Sequence, residues 1–287
     1  MIYLERFRMP TQEQEEHFLS DFMRIENRRT CYPTRYPFKV FRYRKLPEFV
    51  FEPITIFCGG NGSGKSTILN VIAESLHAKR GAAFNRSHFF EDYVGLCGHR
   101  GTVKSSRIIT SDGVFDYMLN IRTLNEGLDR RREELLAEYQ EVRHSKFQLQ
   151  SLEDYDELKK HVDAVRLSGS KYAKSQIMEA VPGHSNGESA LQFFTEAIKE
   201  NGLYLLDEPE NSLSAERQLE LQQFLMDSVR FFGCQFLIST HSPFLLSMPG
   251  AKIYDLDVTP PAVRRWTELE NVRLLHDFFA EHEEEFE

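Results

Sequence analysis

The chain has 287 residues, 41% of them hydrophobic and 12% aromatic, which suits one large globular domain or one domain carrying a sizeable insert. No apolar run approaches the roughly 18 residues that cross a bilayer, and the N-terminal MIYLERFRMP is too charged for a secretory signal, so a cytoplasmic protein without a membrane segment is expected. The cysteines Cys31, Cys58, Cys97 and Cys234 form no Cys-x-x-Cys pair, which argues against a zinc site or disulfide framework, and a net charge of −9 argues against a surface coated in phosphate-binding charge.

That acidity is uneven along the chain. Residues 24–45 carry eight Arg or Lys against the single acid Glu26, whereas 200–287 carry 17 acids against six bases. The basic run interleaves Arg28, Arg29, Arg35, Arg42, Arg44 and Lys45 with aromatics such as Tyr36, Phe38 and Phe41. Two readings stand side by side. In one, the cations neutralise nucleic-acid phosphates and the tyrosines stack on bases. In the other, the alternation is an ordinary strand with one wet face, which is slightly favoured. The acidic end reads as solvated surface.

Further along, Phe49–Cys58 reads as a strand pair broken at Pro53. A glycine-rich loop follows, then a helix with Ile68, Leu69, Ile72 and Leu76 on one face. Arg107–Ser111 is strand-like. The stretch from about Leu124 to Leu167 is highly charged, lacks proline and spaces Leu128, Leu135, Tyr139 and Val142 like a helix. It predicts a helical lobe, about residues 120–183, inserted into a single domain spanning 1–287. Leu203–Leu206 and Gln235–Ser239 read as buried strands of a parallel sheet. Each ends at polar residues, where an open α/β sheet puts its ligand.

The segment Gly59–Thr67, GGNGSGKST, fits the P-loop pattern and lies between a predicted strand and a predicted helix. Glycines let the backbone N–H groups of Gly60, Asn61, Gly62, Ser63 and Gly64 wrap phosphates, and the following helix N-terminus adds positive potential. Lys65 would reach the β- and γ-phosphates of ATP, Ser66 would hold Mg²⁺, and Thr67 is a candidate for the α-phosphate. The apolar strand ending in Asp207-Glu208 matches a Walker B segment: Asp207 as a Mg²⁺ ligand and Glu208 as the group polarising the attacking water. The bland alternative is a strand cap and turn.

Beyond these, Ser185-Asn186-Gly187-Glu188-Ser189 resembles the signature of ABC ATPases, 22 residues before Asp207, and His241 stands 34 residues after it, where that class keeps its switch histidine. The chain thus resembles ABC-type ATPases of the soluble DNA-repair and chromosome-maintenance branch. It is also similar to small bacterial "AAA family" ATPases with SNGES and LLDEPENSLS segments. The resemblance implies an α/β fold: a P-loop NTPase of ABC type, with a mixed central sheet flanked by helices and an inserted helical lobe. It implies ATP and Mg²⁺ as cofactors, Lys65, Glu208 and His241 as catalytic residues, and a homodimer formed on ATP binding. In that dimer Ser185, Gly187 and Glu188 of one subunit face the nucleotide of the other, and Ser212-Leu213-Ser214 occupies the D-loop. Two family features lack a clear counterpart. Ser111 or Asp112 stands where the Q-loop glutamine is expected, with a plain turn an equal alternative. Tyr36, Phe38 and Phe41 are candidates for the adenine contact, with core packing the commoner fate of such residues.

For the role of the ATPase, three readings compete: a DNA-repair or anti-phage defence ATPase working with DNA, RNA or a separate nuclease or effector protein; an ATP-driven regulatory switch for a partner protein without nucleic acid; and, least favoured, a transporter ATPase. The 46 residues after His241 are too few for the nuclease domain that some relatives carry, so cutting is expected of a separate partner.

Overall fold

The computed structural model describes residues 1–22, 34–144, 159, 162–164, 166–176 and 186–286. Its strands are β1 (Leu4–Arg8), β2 (Phe49–Val50), β3 (Ile54–Cys58), β4 (Lys79–Arg80), β5 (Gly98–Gly101), β6 (Ser106–Thr110), β7 (Leu203–Asp207), β8 (Gln235–Ser239), β9 (Lys252–Asp255) and β10 (Ala262–Arg264). They build an antiparallel sheet in the order β2-β1-β5 and a seven-stranded sheet in the order β10-β9-β3-β8-β7-β6-β4. In the larger sheet only β10 runs antiparallel to its neighbour. Every residue of β3 and β8 is buried, which is why their sequences are continuous apolar runs and not alternating ones. The predicted strand pair around Pro53 is real, but its two halves belong to different sheets.

The helices are α1 (Gln12–Phe22), α2 (Lys65–Ser75), α3 (Phe90–Gly95), α4 (Ser111–His144), α5 (Gly169–Gln176), α6 (Asn186–Ala197), α7 (Ala215–Phe232), α8 (Pro243–Leu246) and α9 (Glu270–Glu281). Helix α2 packs on β6, β7 and β8 and buries Ile68, Leu69, Val71 and Ile72 completely. Helix α7 starts at Ser214, whose hydroxyl accepts from Arg217 N, and stops at Gly233 in the left-handed region (φ 64°), the cap chemistry expected at each end. The chain divides into two compact units, Met1–Phe115 with Asn186–Glu287, and Asp116–Ser185. The second has its own small core of Leu135, Tyr139, Ala164, Tyr172 and Ala173, backed by Leu136, Val142 and Leu167. Among the described residues no helix is long and apolar enough to cross a membrane.

Two local expectations are overturned. The described part of the basic run, residues 34–45, is not a strand but a series of turns closed by Phe38 N–Arg35 O, Val40 N–Pro37 O and Arg44 N–Phe41 O hydrogen bonds. Nor do Ser111 and Asp112 form a turn; they open the 34-residue helix α4. Thr110 at the end of β6 caps it, its hydroxyl accepting from Gly113 N–H at 3.3 Å, and Asp112 lies in the first turn, where a negative charge meets the helix dipole favourably.

The two sheets are tied together by buried polar side chains. Gln235, fully buried at the start of β8, uses its whole amide: Oε1 accepts from Tyr3 N (2.8 Å) and Leu4 N (2.9 Å), and Nε2 donates to Leu4 O (2.9 Å) and Glu52 O (3.3 Å). Tyr254 on β9 does the same for β2, its hydroxyl accepting from Val50 N at 2.9 Å and donating to Val50 O at 3.0 Å. Rings of Phe49, Phe57 and Tyr254 fill the space between. Leucine at position 235 would match the volume but strand the Tyr3 and Leu4 backbone groups. Gln235→Leu should therefore lower unfolding free energy by about 3–5 kcal/mol, measurable by chemical denaturation.

Candidate functional site

The parallel register sets the site. Thr110 of β6 is level with Asp207 of β7, Asp207 with Ser239 of β8, and Ser239 with Phe57 of β3. All these strand tips open at one edge of the sheet, and the loops leaving them carry the candidate residues. After β3 the loop Gly59–Gly64 feeds straight into α2, with Gly60, Asn61 and Gly62 exposed. Gly64 has φ 96°, and a Cβ there would lie 2.3 Å from Cε1 of the Phe41 ring, so neither the backbone nor the space admits a side chain.

Lys65 is 4% exposed, and its Nζ donates to Gly59 O (2.9 Å) and Gly60 O (3.4 Å) and lies 2.6 Å from His241 Nε2. An ammonium only donates, so this contact requires an unprotonated Nε2 on His241. Glu208 Oε1 stands 3.9 Å from the same Nζ and 3.7 Å from His241 Nε2. Lys65, Glu208 and His241 thus converge on one point. The other Glu208 oxygen, Oε2, accepts from Asn211 Nδ2 at 3.0 Å, leaving Oε1 to face the pair. Glu208 has a left-handed backbone (φ 49°, ψ 56°), held by its N–H donating to Ser239 O at 3.0 Å.

Asp207 Oδ1 accepts from Ser66 Oγ at 3.0 Å and also from Ser239 Oγ. Burial raises the Asp207 carboxyl above its ordinary range; hydrogen bonds from Ser239 and Ser66 oppose the rise, the Glu208 charge adds to it and Lys65 opposes it. A half-buried carboxylate sharing a hydroxyl is a hard-oxygen pair of the kind that Mg²⁺ takes, with phosphate and water completing its shell. Among the described residues no group of three or more His, Cys, Asp or Glu could hold a metal by itself. Buried Ser63 Oγ has no partner, leaving one polar atom of the loop to be satisfied by a ligand.

Several contacts around these strand tips could not be read from the sequence. Glu210 Oε1 accepts from Thr240 Oγ1 (2.7 Å), His241 N (2.7 Å) and Ser242 N (3.2 Å), fixing the turn that presents His241. Arg44 Nη1 donates to Ser63 O and Leu256 O, and Asp257 accepts from Gly60 N. Tyr36 OH donates to Thr67 Oγ1 at 3.1 Å. The adenine candidates therefore separate. Phe38 and Phe41 are core residues, Phe38 stacked on Phe18 and edge-on to Tyr93 and Phe41 against Gly64. Only Tyr36 borders the loop through a polar contact.

On the signature segment, Gly187 and Glu188 open α6, and Ser185 lies outside the described residues. Glu188 Oε1 is 3.3 Å from Arg217 Nη2 of α7, and a Cβ on Gly187 would meet Ser212 O at 3.8 Å. The start of α6 and the Ser212–Ser214 loop are thus neighbours. In the basic run, Arg44 is committed to the loop after β3 and Arg42 pairs with Glu16 at 3.2 Å, while Arg28 and Arg29 lie outside the described residues.

A mixed α/β sheet with a glycine-rich loop leaving a central strand and acidic residues on the tip two strands away is the arrangement of a P-loop NTPase fold. Residues 73–247 match the family described as "AAA domain, putative AbiEii toxin, Type IV TA system", and the chain belongs to that family. The match begins inside α2, after the P-loop, and ends beyond His241. No curated protein matches the chain. Among solved structures it is similar to an inward-facing conformation of a protein described as a metal-chelate type ABC transporter, at 19% identity and a TM-score of 0.39, covering 80% of this chain and 81% of that one. It is also similar to a dimeric ATP-binding cassette in a post-hydrolysis state with ADP and Pi, at 12% identity and a TM-score of 0.34, covering 78% and 91%. Neither likeness is deep enough to carry a residue's role across.

The Gly64–Phe41 contact gives a direct test of how the loop is built. Gly64→Ala should destabilise the protein by about 2–3 kcal/mol through overlap and left-handed strain. Phe41→Ala alone should cost about 3 kcal/mol. In the double variant the overlap is gone, so thermal or urea denaturation should show a loss smaller than the sum.

Proposed function

We propose that this chain binds Mg-ATP on Gly60–Thr67 and hydrolyses it to ADP and phosphate as a head-to-tail homodimer. The observation that carries the reading is the convergence of Lys65, Glu208 and His241 within 4 Å of one another at the edge where the phosphate-binding loop opens. Ser66 and Asp207 would hold Mg²⁺, which when bound neutralises charge on the phosphate oxygens. Lys65 would exchange its contacts with Gly59 O, Gly60 O and His241 for the terminal phosphates. Glu208 Oε1, with Oε2 held by Asn211, accepts the proton of the attacking water. His241, its backbone fixed by Glu210, orients that water and the terminal phosphate. Ser185, Gly187 and Glu188 act on the nucleotide of the second copy, and Glu188 reaches that role from a helix start already braced by Arg217. The residue 116–185 unit is read as a helical lobe inserted into a single ATPase domain.

For the biological role we infer a defence-type module, in which nucleotide-driven pairing of two copies acts on a separate effector such as a nuclease. The description of the matched family, with its toxin and toxin–antitoxin system, supports defence over DNA repair. The side-chain contacts weigh against nucleic acid as the partner of the basic run. Arg44 spends its guanidinium on two backbone carbonyls and Arg42 is paired with Glu16, which leaves the run fewer cations for nucleic acid than its composition suggests.

Glu208→Gln should retain Mg-ATP binding while reducing turnover by about two to four orders of magnitude, the usual worth of a general base. Turnover at the wild-type rate would remove Glu208 from that role. With hydrolysis blocked in this way, light scattering at tens of micromolar protein should report a dimer on adding Mg-ATP. Adding Ser185→Arg should abolish the dimer with nucleotide affinity retained. A monomer at saturating Mg-ATP without that second substitution would rule out the dimer mechanism.

A further inference from the structure

Four of the six residues Gly59–Gly64 are glycine, so the loop that must cradle phosphates is also the segment with most backbone freedom to lose. Two charged side chains from distant parts of the chain grip it. Arg44 Nη1 donates to Ser63 O at 2.8 Å and to Leu256 O at 2.7 Å. The Asp257 carboxylate sits astride Gly60 N–H, with Oδ1 at 2.9 Å and Oδ2 at 2.8 Å. Both grips end on the same pair of residues just beyond β9. That pair is itself fixed, because Leu256 N donates to Cys58 O at 2.8 Å and Asp257 N to Asp255 Oδ1 at 3.0 Å. The loop is thus held near its start and near its end against one rigid support.

The sign of the charge at Asp257 is informative. An exposed carboxylate on a loop that receives phosphates repels them, so on electrostatics alone it weakens nucleotide binding. What it offers in exchange is geometry: a charge-assisted hydrogen bond that fixes the Gly60 amide near the start of the loop. We propose that Arg44 and Asp257 are positioning residues that hold the phosphate-binding loop in its receptive shape before nucleotide arrives, lowering the ordering cost of binding. The proposal rests on the reading of this loop as a nucleotide site.

The test compares Asp257→Ala, which removes the grip, with Asp257→Asn, which removes the charge but keeps an oxygen for Gly60 N–H. Hydrogen exchange at the Gly60 amide is followed without nucleotide, and Mg-ADP affinity is measured by calorimetry. Asp257→Ala should speed Gly60 exchange at least tenfold and weaken Mg-ADP about tenfold, with the thermal midpoint little changed because Asp257 is exposed. Asp257→Asn should keep Gly60 protected and bind Mg-ADP as tightly as the wild type or more tightly. Unchanged exchange and affinity in Asp257→Ala would overturn the proposal. So would tighter binding by Asp257→Ala, which would make the carboxylate a brake and not a brace. If the wild-type chain binds no Mg-ADP, the nucleotide reading fails, and Gly60 exchange alone decides whether the grip exists.

Discussion

The register of four parallel strands governs the rest of this structure. Because Thr110, Asp207, Ser239 and Phe57 end at the same level, the loops that follow them start from a common edge and meet without long excursions. A slip of one residue in β7 would turn Asp207 toward the opposite face of the sheet. Ser66 and Ser239, which both donate to it, would then lose their common acceptor. The register is secured by burial on both faces of β3 and β8 and by Gln235, whose four hydrogen bonds lock the start of β8 to β1 and to the residue before Pro53. Stability at the far end of the strand thus determines geometry at the near end.

Charge at this edge is balanced locally. Three acids, Asp207, Glu208 and Glu210, leave the tip of β7 within four residues, and such charges without partners would resist phosphate. Each is answered by a specific donor: Ser66 and Ser239 on Asp207, Asn211 on Glu208, and Thr240 with two backbone N–H groups on Glu210. The buried cation of Lys65 stands against them, and the N-terminus of α2 adds its dipole. The overall −9 of the chain therefore says little about what its site attracts.

Much of the architecture was legible in the sequence where the signal is contiguous. The strands β3, β7 and β8 announce themselves as short apolar runs, and the loop Gly59–Thr67 carries its own pattern of glycines, lysine and hydroxyls. What could not be read depended on partners far away in the chain. Arg44 and Leu256 are 212 residues apart, and no local pattern shows that an arginine in a basic run serves a loop carbonyl. The alternation of cations and aromatics in that run mimics a strand, but the aromatic positions answer to α1, α3 and Gly64 and not to a sheet. At Ser111–Asp112 the signal was present and outweighed: Thr110 and Asp112 are good helix-start residues, while Gly113 argued for a turn. Glu210 could have been suspected from the Asp-Glu-Pro-Glu motif, since a second acid beside the candidate base needs a reason to be there.

The left-handed backbone of Glu208 has an evolutionary reading. Glycine or asparagine would rest at φ 49° with little strain, whereas glutamate holds that conformation at a cost of about 1–3 kcal/mol. Replacement by glycine or asparagine at this position would therefore relieve backbone strain while removing the carboxylate. A lineage that ceased to need the chemistry would be expected to lose glutamate here early, while keeping a well-folded and even sturdier protein. On the catalytic role proposed for Glu208, residue 208 would serve as a marker, in related chains, that separates those under selection for turnover from those retained only as scaffolds.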